Sequence, residues 1–208
     1  MRGKLVTLEG LDGAGKTTHL EWLSGALRER GVALCVTREP GGTPLGEALR
    51  KLVLEAQAPI DAEAEALLMF AARREHIAKV IEPALSQGTW VLCDRFTDAT
   101  FAYQSAGSGV EWAKIEALER WVQGVLQPDL TLYFDVSPEV GRARTSSVRA
   151  PDRFEREREG FHERVRAAYG RRAREHAGRI RIIDAQRSVA QIQAELHSIV
   201  EALVKDTA

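Results

Sequence analysis

The run Gly10-Leu11-Asp12-Gly13-Ala14-Gly15-Lys16-Thr17-Thr18 has the residue types and spacing of a phosphate-binding loop. Its glycines let successive backbone N–H groups turn inward around a phosphate, at the positive end of the helix that begins near Thr17. Lys16 supplies a mobile cation for the outer phosphates of a nucleotide such as ATP, and the Thr17 hydroxyl can ligate Mg²⁺. The loop follows an apolar run and precedes a helical pattern, which is the context the motif requires. Such a loop does not choose between GTPase, motor, ATPase and kinase. The sequence carries neither a D-x-x-G after its third strand nor the N-K-x-D base reader of a GTPase. That third strand ends in Cys93-Asp94-Arg95 instead. Asp94 can hold a magnesium-bound water, and Arg95 suits a second phosphate facing the first. An adjacent acid and base is also what an ordinary surface ion pair looks like.

These residues need a scaffold, and the hydrophobic pattern supplies one. Five short, β-rich apolar runs cover Leu5–Glu9, Ala33–Thr37, Trp90–Asp94, Leu130–Asp135 and Ile180–Asp184. Most are continuous rather than alternating, as parallel strands covered on both faces require. Helical patterns separate them at Thr17–Arg30, Ala62–Leu85, Trp112–Leu126, Pro138–Arg144, Arg153–Ala177 and Ser188–Val204. The alternation predicts an α/β fold, a doubly wound parallel sheet with right-handed crossovers, whose ligands sit at the carboxyl ends of the strands. Glu9, Arg38, Asp94 and Asp135 fall at or just after those ends. With 208 residues and no internal repeat or Gly/Ser linker, one domain spanning 1–208 suffices.

The bulk composition excludes other classes. A net charge of −1 gives no basic face for nucleic acid and no polybasic membrane anchor. No apolar stretch approaches the roughly 20 residues of a membrane span, and the N-terminus carries no signal region, so a cytoplasmic protein is expected. Cys35 and Cys93 each lie in an apolar run and read as buried, reduced thiols. The region from Arg142 to Arg181, by contrast, is dense in arginine and needs an explanation of its own.

The pattern over Ala62–Leu85 is informative. At about 100° per residue, Leu67, Ala71, Ala78, Ile81 and Leu85 form one apolar stripe, with Arg74 in its middle and Phe70 one turn earlier. A guanidinium there needs a partner, since burying it unpaired costs several kcal/mol. Two readings stand: an ion pair with a core carboxylate, or a ligand pocket in which Phe70 stacks on a ring and Arg74 donates to a base carbonyl. Met69 and Val80 lie on the far side of the same helix and hint at a second buried face, a dimer contact.

Taken together, these stretches resemble bacterial thymidylate kinases over nearly the whole chain. The resemblance rests on Glu9 through Thr18, Thr37-Arg-Glu-Pro-Gly-Gly-Thr43, Leu68-Met-Phe-Ala-Ala-Arg-Arg74, Asp94-Arg-Phe96 through Ala102-Tyr-Gln104, Gln127 through Val136, and Asp152-Arg-Phe-Glu155 with Phe161 and Tyr169. It implies a P-loop three-layer sandwich with a five-stranded parallel sheet and a lid over about Arg142 to Arg158. It implies a homodimer that phosphorylates dTMP with ATP and Mg²⁺. Phe70 would stack on thymine, Arg74 would bond its carbonyl, and Thr100 and Gln104 would face its polar edge. Tyr103 would crowd the 2′ position of the sugar. Arg38, Arg50 and Arg95 would hold the acceptor phosphate, with Asp12 near the sugar or steering Arg95. Glu9 and Asp94 would lie close to the magnesium shell.

A lid explains the arginine excess. Phosphoryl transfer is mostly positioning and charge neutralisation, and the phosphate loop itself carries no arginine. Arg144, Arg149 and Arg153 are the candidates to arrive when the lid closes, whereas Arg156 and Arg158, interleaved with glutamates, suit a solvated helix face. The chain departs from the family in having Phe96 where tyrosine or histidine is usual, and Arg73-Arg74 where Asp-Arg is common. Arg73 points away from the expected stripe, which leaves it little part in the site. Two rival functions remain on the same scaffold: phosphorylation of another acceptor, and nucleotide binding without transfer.

Overall fold

The computed structural model describes residues 2–145, Phe154 and residues 159–205. Its five strands are β1 (Leu5–Glu9), β2 (Leu34–Arg38), β3 (Trp90–Asp94), β4 (Leu130–Asp135) and β5 (Ile180–Asp184). They pair in parallel in the order β2-β3-β1-β4-β5, so the first strand is central. Every residue of β1 is buried, while edge strand β2 is half exposed. The strands fall within a residue of the apolar runs that predicted them.

The helices are α1 (Lys16–Glu29), α2 (Pro44–Leu54), α3 (Ala62–His76), α4 (Glu82–Ser86), α5 (Thr97–Thr100), α6 (Trp112–Gln123), α7 (Pro138–Thr145), α8 (Glu159–Glu175) and α9 (Val189–Lys205). Side chains of β3 alternate between two core clusters, Trp90 and Leu92 in one, Val91 and Cys93 in the other. The first cluster includes Leu23 and Leu27 of α1 and Leu196 of α9; the second includes Phe70 of α3 and Ile115 of α6. A strand turns successive side chains to opposite faces, so these are the two helical layers of a three-layer sandwich. Cys93 is fully buried and Cys35 half-buried, and both are free thiols.

Two elements have no counterpart in the sequence reading. The first is α2, whose start is signalled by Thr43-Pro44: the Thr43 hydroxyl accepts from the Gly46 N–H, and Pro44 occupies the first turn. The second is α5, which runs on into a π-helical stretch, Phe101–Gly107. α5 spans only four residues, too few to show a helical period, whereas α2 is amphipathic over its 11 residues and its pattern was passed over.

The expected continuous helix from Ala62 to Leu85 is interrupted. Between α3 and α4 the turn widens to a π-helix over Ile77–Ile81. Pro83 sits in the next turn, where its ring crowds a carbonyl one turn back and its missing N–H leaves that carbonyl unbonded. A π turn inserts about one extra residue, which breaks the phase of the stripe. Upstream of it the buried side comprises Glu65, Ala66, Met69, Phe70, Arg73 and His76. Leu67, Ala71 and Arg74 face outward, so the stripe placed through them is corrected by one residue.

The arginine-rich segment is partly a set of struts. Asp98 of α5 is buried and accepts from Arg172 Nε at 2.8 Å and from Arg179 Nη1 at 2.7 Å. Burial pushes the Asp98 carboxyl up, but Arg179 and Arg172 outweigh it and hold the group at about 2. Arg164 donates to the carbonyls of Ala106 and Gly107, and Arg166 pairs with Asp135. Together they fasten α8 to the sheet and to the π-helical stretch. Removing one member of a buried ion cluster leaves the others uncompensated. Asp98→Asn is therefore expected to lower the free energy of unfolding by about 3 kcal/mol, read from urea denaturation; a loss within error would contradict this role.

Candidate active site

The phosphate loop leaves β1 through Gly10, whose φ is +136°, and a Cβ there would stand 2.4 Å from the Phe134 carbonyl oxygen. Gly13 approaches the start of α7 so closely that a Cβ would meet the Gly141 carbonyl. Gly15 then adopts a left-handed conformation and ends the loop at the first turn of α1, where no side chain caps the helix and no acidic residue lies. The free N–H groups of that turn, with the helix dipole behind them, form an anion site.

An outer cavity opens over this loop, lined by Asp12 through His19, Arg38, Asp94, Arg144 and the β5–α9 residues Ala185, Arg187 and Val189. Lys16 is buried and donates to the carbonyls of Gly10 and Leu11. Burial first, then Arg95, lowers its pKa, with Asp12, Asp94 and Glu9 opposing. Arg144 reaches the carbonyls of Gly13 and Ala185, which ties α7 to the loop. Asp94 Oδ1 is buried with no hydrogen-bond partner among the described residues, and Asp94 and Thr17 line the same cavity. That orphaned oxygen and the Thr17 hydroxyl are hard oxygen donors of the type Mg²⁺ prefers when it shares a site with phosphates.

An inner cavity lies beside the first, lined by Pro40, Leu54, Met69, Arg73, Phe96, Thr100, Tyr103, Gln104 and Phe154. Asp12, Glu39, Arg50 and Arg95 line both. Arg95 holds a left-handed backbone, φ +69°, the one non-glycine positive φ among the described residues. Such a conformation costs about 1 kcal/mol or more and persists where surrounding contacts enforce it. Here Arg95 Nη1 donates to the Gly10 carbonyl and Tyr169, and Nη2 donates to Asp12 and Tyr103. Arg50 donates to the Pro40 carbonyl, and Arg38 is half exposed, held by Glu47 at 2.8 Å.

Most of the expected site residues line one cavity or the other: Asp12 through Thr18, Arg38, Arg50, Asp94, Arg95, Thr100, Tyr103, Gln104 and Arg144. Gly10 and Leu11 contribute through their carbonyls. Expectations for Arg74, Phe70 and Glu9 are corrected, and with them those for Arg73 and Met69. Arg74 points outward, donates to the Val122 carbonyl and pairs with Glu82, because the π turn shifts the phase of α3. Arg73 takes the inward place: it is 3% exposed, donates to Glu39 at 2.7 Å, to the Phe96 carbonyl and to Thr100, and keeps Nη1 without a partner. Phe70 is buried in the core rather than lining the cavity; its ring and that of Phe96 lie against the Arg73 guanidinium, 4.9 and 5.0 Å away. The side chain on the cavity wall at that level is Met69, which is therefore no outward dimer contact.

The third correction concerns Glu9. Its fully buried carboxylate lines neither cavity; it accepts from the Phe96 N–H at 2.7 Å and from the Tyr169 hydroxyl at 2.9 Å. It props the strained Arg95–Phe96 backbone from below. Arg149 and Arg153 lie outside the described residues. The sequence reading also missed Glu39, whose carboxylate joins Arg73 to His76, which in turn meets Thr37. The signal was available: Glu39 sits inside the Thr37–Thr43 motif, an acid between an arginine and a proline in a stretch that had been given no acidic role.

The chain is similar along its length to known proteins. The family description "Thymidylate kinase" matches residues 8–196. A curated thymidylate kinase of Nitrosospira multiformis is 58% identical, covering 98% of this chain and 99% of the relative. One from Burkholderia mallei is 57% identical over 97% and 99%. The crystal structure of thymidylate kinase from Ehrlichia chaffeensis superposes with a TM-score of 0.79 at 34% identity, covering 97% of this chain and 99% of that one.

Burial, and next the Asp98 carboxylate, push the Glu9 carboxyl up to about 8, against the opposing pull of Arg95 and its two hydrogen bonds. A folded pKa above the unfolded one gives stability that is complete below the unfolded value and lost as pH rises through the folded value. The unfolding free energy is thus expected to fall between pH 5 and pH 9 less steeply in Glu9→Gln than in the parent; equal slopes would refute the shift.

Proposed function

The chain belongs to the thymidylate kinase family, and from that premise we propose how its own residues carry the family reaction, phosphorylation of dTMP. The activity is that of a phosphotransferase. ATP would lie in the outer cavity with its phosphates on Gly13 through Thr18, and dTMP in the inner one. The observation that carries this reading is that the two cavities meet at Arg95, Arg50 and Asp12. A phosphate monoester entering from one side then faces the outer phosphate of a nucleotide entering from the other.

No side-chain nucleophile or strong base is needed, since the acceptor phosphate is already ionised near pH 7. The work left to the protein is alignment and charge compensation. Lys16 would exchange its two loop carbonyls for β- and γ-phosphate oxygens. Arg95, fixed by Asp12 and Tyr103, would stand between donor and acceptor, with Arg38 and Arg50 on the acceptor phosphate. Tyr103 would crowd the sugar at its 2′ position. Thr17 and Asp94 would hold Mg²⁺, which supplies charge neutralisation between the phosphates. Arg144 already bridges α7 to the loop, and Arg149 and Arg153 are proposed to add charge to the moving phosphoryl.

In the inner cavity Arg73 takes the base-recognition role expected of Arg74, and Met69 the platform role expected of Phe70. Methionine is polarisable and makes favourable sulfur–aromatic contacts. A homodimer is proposed from the family resemblance, supported by exposed leucines Leu45 and Leu52 of α2 and Leu67 of α3. No helix among the described residues is long and apolar enough to cross a membrane, and a cytoplasmic site of action fits the free thiols.

Product detection with Mg·ATP and a panel of nucleoside monophosphates tests the assignment: dTDP is the expected product, and ATP binding without transfer to any acceptor would overturn it. Lys16→Ala is expected to lower kcat by about 100-fold or more, with near-normal turnover sinking the role of the loop. Arg73→Ala should raise KM for dTMP by about tenfold or more and leave KM for ATP unchanged, while Arg74→Ala changes neither; the reverse pattern would restore the stripe reading of the helix.

A further inference from the structure

Two polar atoms of residues lining the inner cavity have no hydrogen-bond partner among the described residues. Arg73 Nη1 is buried and donates to nothing, although Nε and Nη2 of the same guanidinium are held by Glu39, the Phe96 carbonyl and Thr100. Gln104 donates Nε2 to Glu65 Oε1 at 2.9 Å, and among the described residues its Oε1 accepts no hydrogen bond. Glu65 is fully buried, and Gln104 is 3% exposed, its accessible surface on the cavity side. Arg73 and Gln104 line the same cavity, and Glu65 stands behind Gln104.

A side-chain amide can turn either end toward a ligand, and its other contacts decide which. A carboxylate offers acceptors only. Glu65 therefore takes the NH₂ end of Gln104 and leaves the carbonyl end for the cavity. We infer that Glu65 is a positioning residue that fixes the Gln104 amide with its oxygen toward the base, so that the site admits pyrimidines with an N3 hydrogen and a 4-oxo group and rejects 4-amino pyrimidines. This inference rests on the inner cavity being the dTMP site.

The chemistry is a complementary pair. A 4-oxo group accepts from Arg73 Nη1, and the adjacent N3–H donates to Gln104 Oε1. Cytosine reverses both positions: its 4-amino group meets a donor, and its bare N3 meets an acceptor. A site whose buried polar groups are left unpaired rejects the wrong ligand far more strongly than a shape mismatch does. Uracil satisfies both contacts as thymine does, so Glu65 separates thymine from cytosine and does not separate thymine from uracil.

The test compares kcat/KM for dTMP, dUMP and dCMP in the parent, in Glu65→Gln and in the exchanged pair Glu65→Gln/Gln104→Glu. In the single variant the amide introduced at position 65 offers a donor as readily as an acceptor, which frees Gln104 to turn its NH₂ toward the base. Glu65→Gln is expected to lower the dTMP-to-dCMP ratio by about tenfold or more, with dCMP efficiency rising and the dTMP-to-dUMP ratio unchanged. The exchanged pair places an acceptor-only group at 104 and should recover the parent ratio. A merely structural Glu65 would lower all three substrates in parallel with their ratios intact, which would overturn the inference. Should the single variant fail to fold, the exchanged pair decides alone: a parent-like ratio supports the inference, and a lost one overturns it. Absence of dTMP turnover in the parent would strike the substrate reading instead, leaving the two failures distinguishable.

Discussion

The site is organised around a guanidinium that cannot move. Arg95 holds a backbone conformation unfavourable for its residue type, and four hydrogen bonds from its side chain enforce it. Those bonds reach the phosphate loop, the π-helical stretch after α5, and α8, so three segments distant in sequence are fixed relative to one charge. Glu9 supports the same point from inside the sheet, through the Phe96 N–H and the Tyr169 hydroxyl. In a reaction whose chemistry is the approach of two anions, a cation already positioned before either arrives removes a reorganisation cost at the transition state.

A second buried guanidinium organises the inner cavity by the same rule. Arg73 is clamped by Glu39, Thr100 and a main-chain carbonyl and lies against two phenylalanine rings. Desolvating a guanidinium is tolerable only when its N–H groups are met, and all of its arms but one are. The unpartnered arm is the one assigned to the ligand. Phe70 meets that guanidinium and does not line the cavity.

The abundance of arginine between Arg142 and Arg181 divides into more roles than a lid requires. Arg172 and Arg179 close on Asp98, Arg166 on Asp135, and Arg164 on two carbonyls of the π-helical stretch. These are structural bonds that seat α8 and with it Tyr169, which touches both Glu9 and Arg95. Arg144 of α7 reaches the phosphate loop itself, and it does so through the Gly13 carbonyl.

The sequence by itself determined the sheet, the phosphate loop and the family, because each is written locally; the acceptor-side residues came only with the family resemblance. Strands need continuous apolar runs, and a phosphate loop needs glycines at fixed offsets beside Lys16 and Thr17. That an arginine is buried on α3 was also legible. Which arginine was not: the π turn at Ile77–Ile81 adds about one residue to the helical phase, and a stripe extrapolated across it selected Arg74 for Arg73 and Phe70 for Met69. Glu9 was misplaced for a related reason, since lying at the end of a strand does not say whether a side chain faces the crevice or the layer beneath. The partners of Arg73, Arg95 and Gln104 come from segments dozens of residues away. Long-range hydrogen bonds of that kind have no period and no spacing in the chain, so only the tertiary structure decided them.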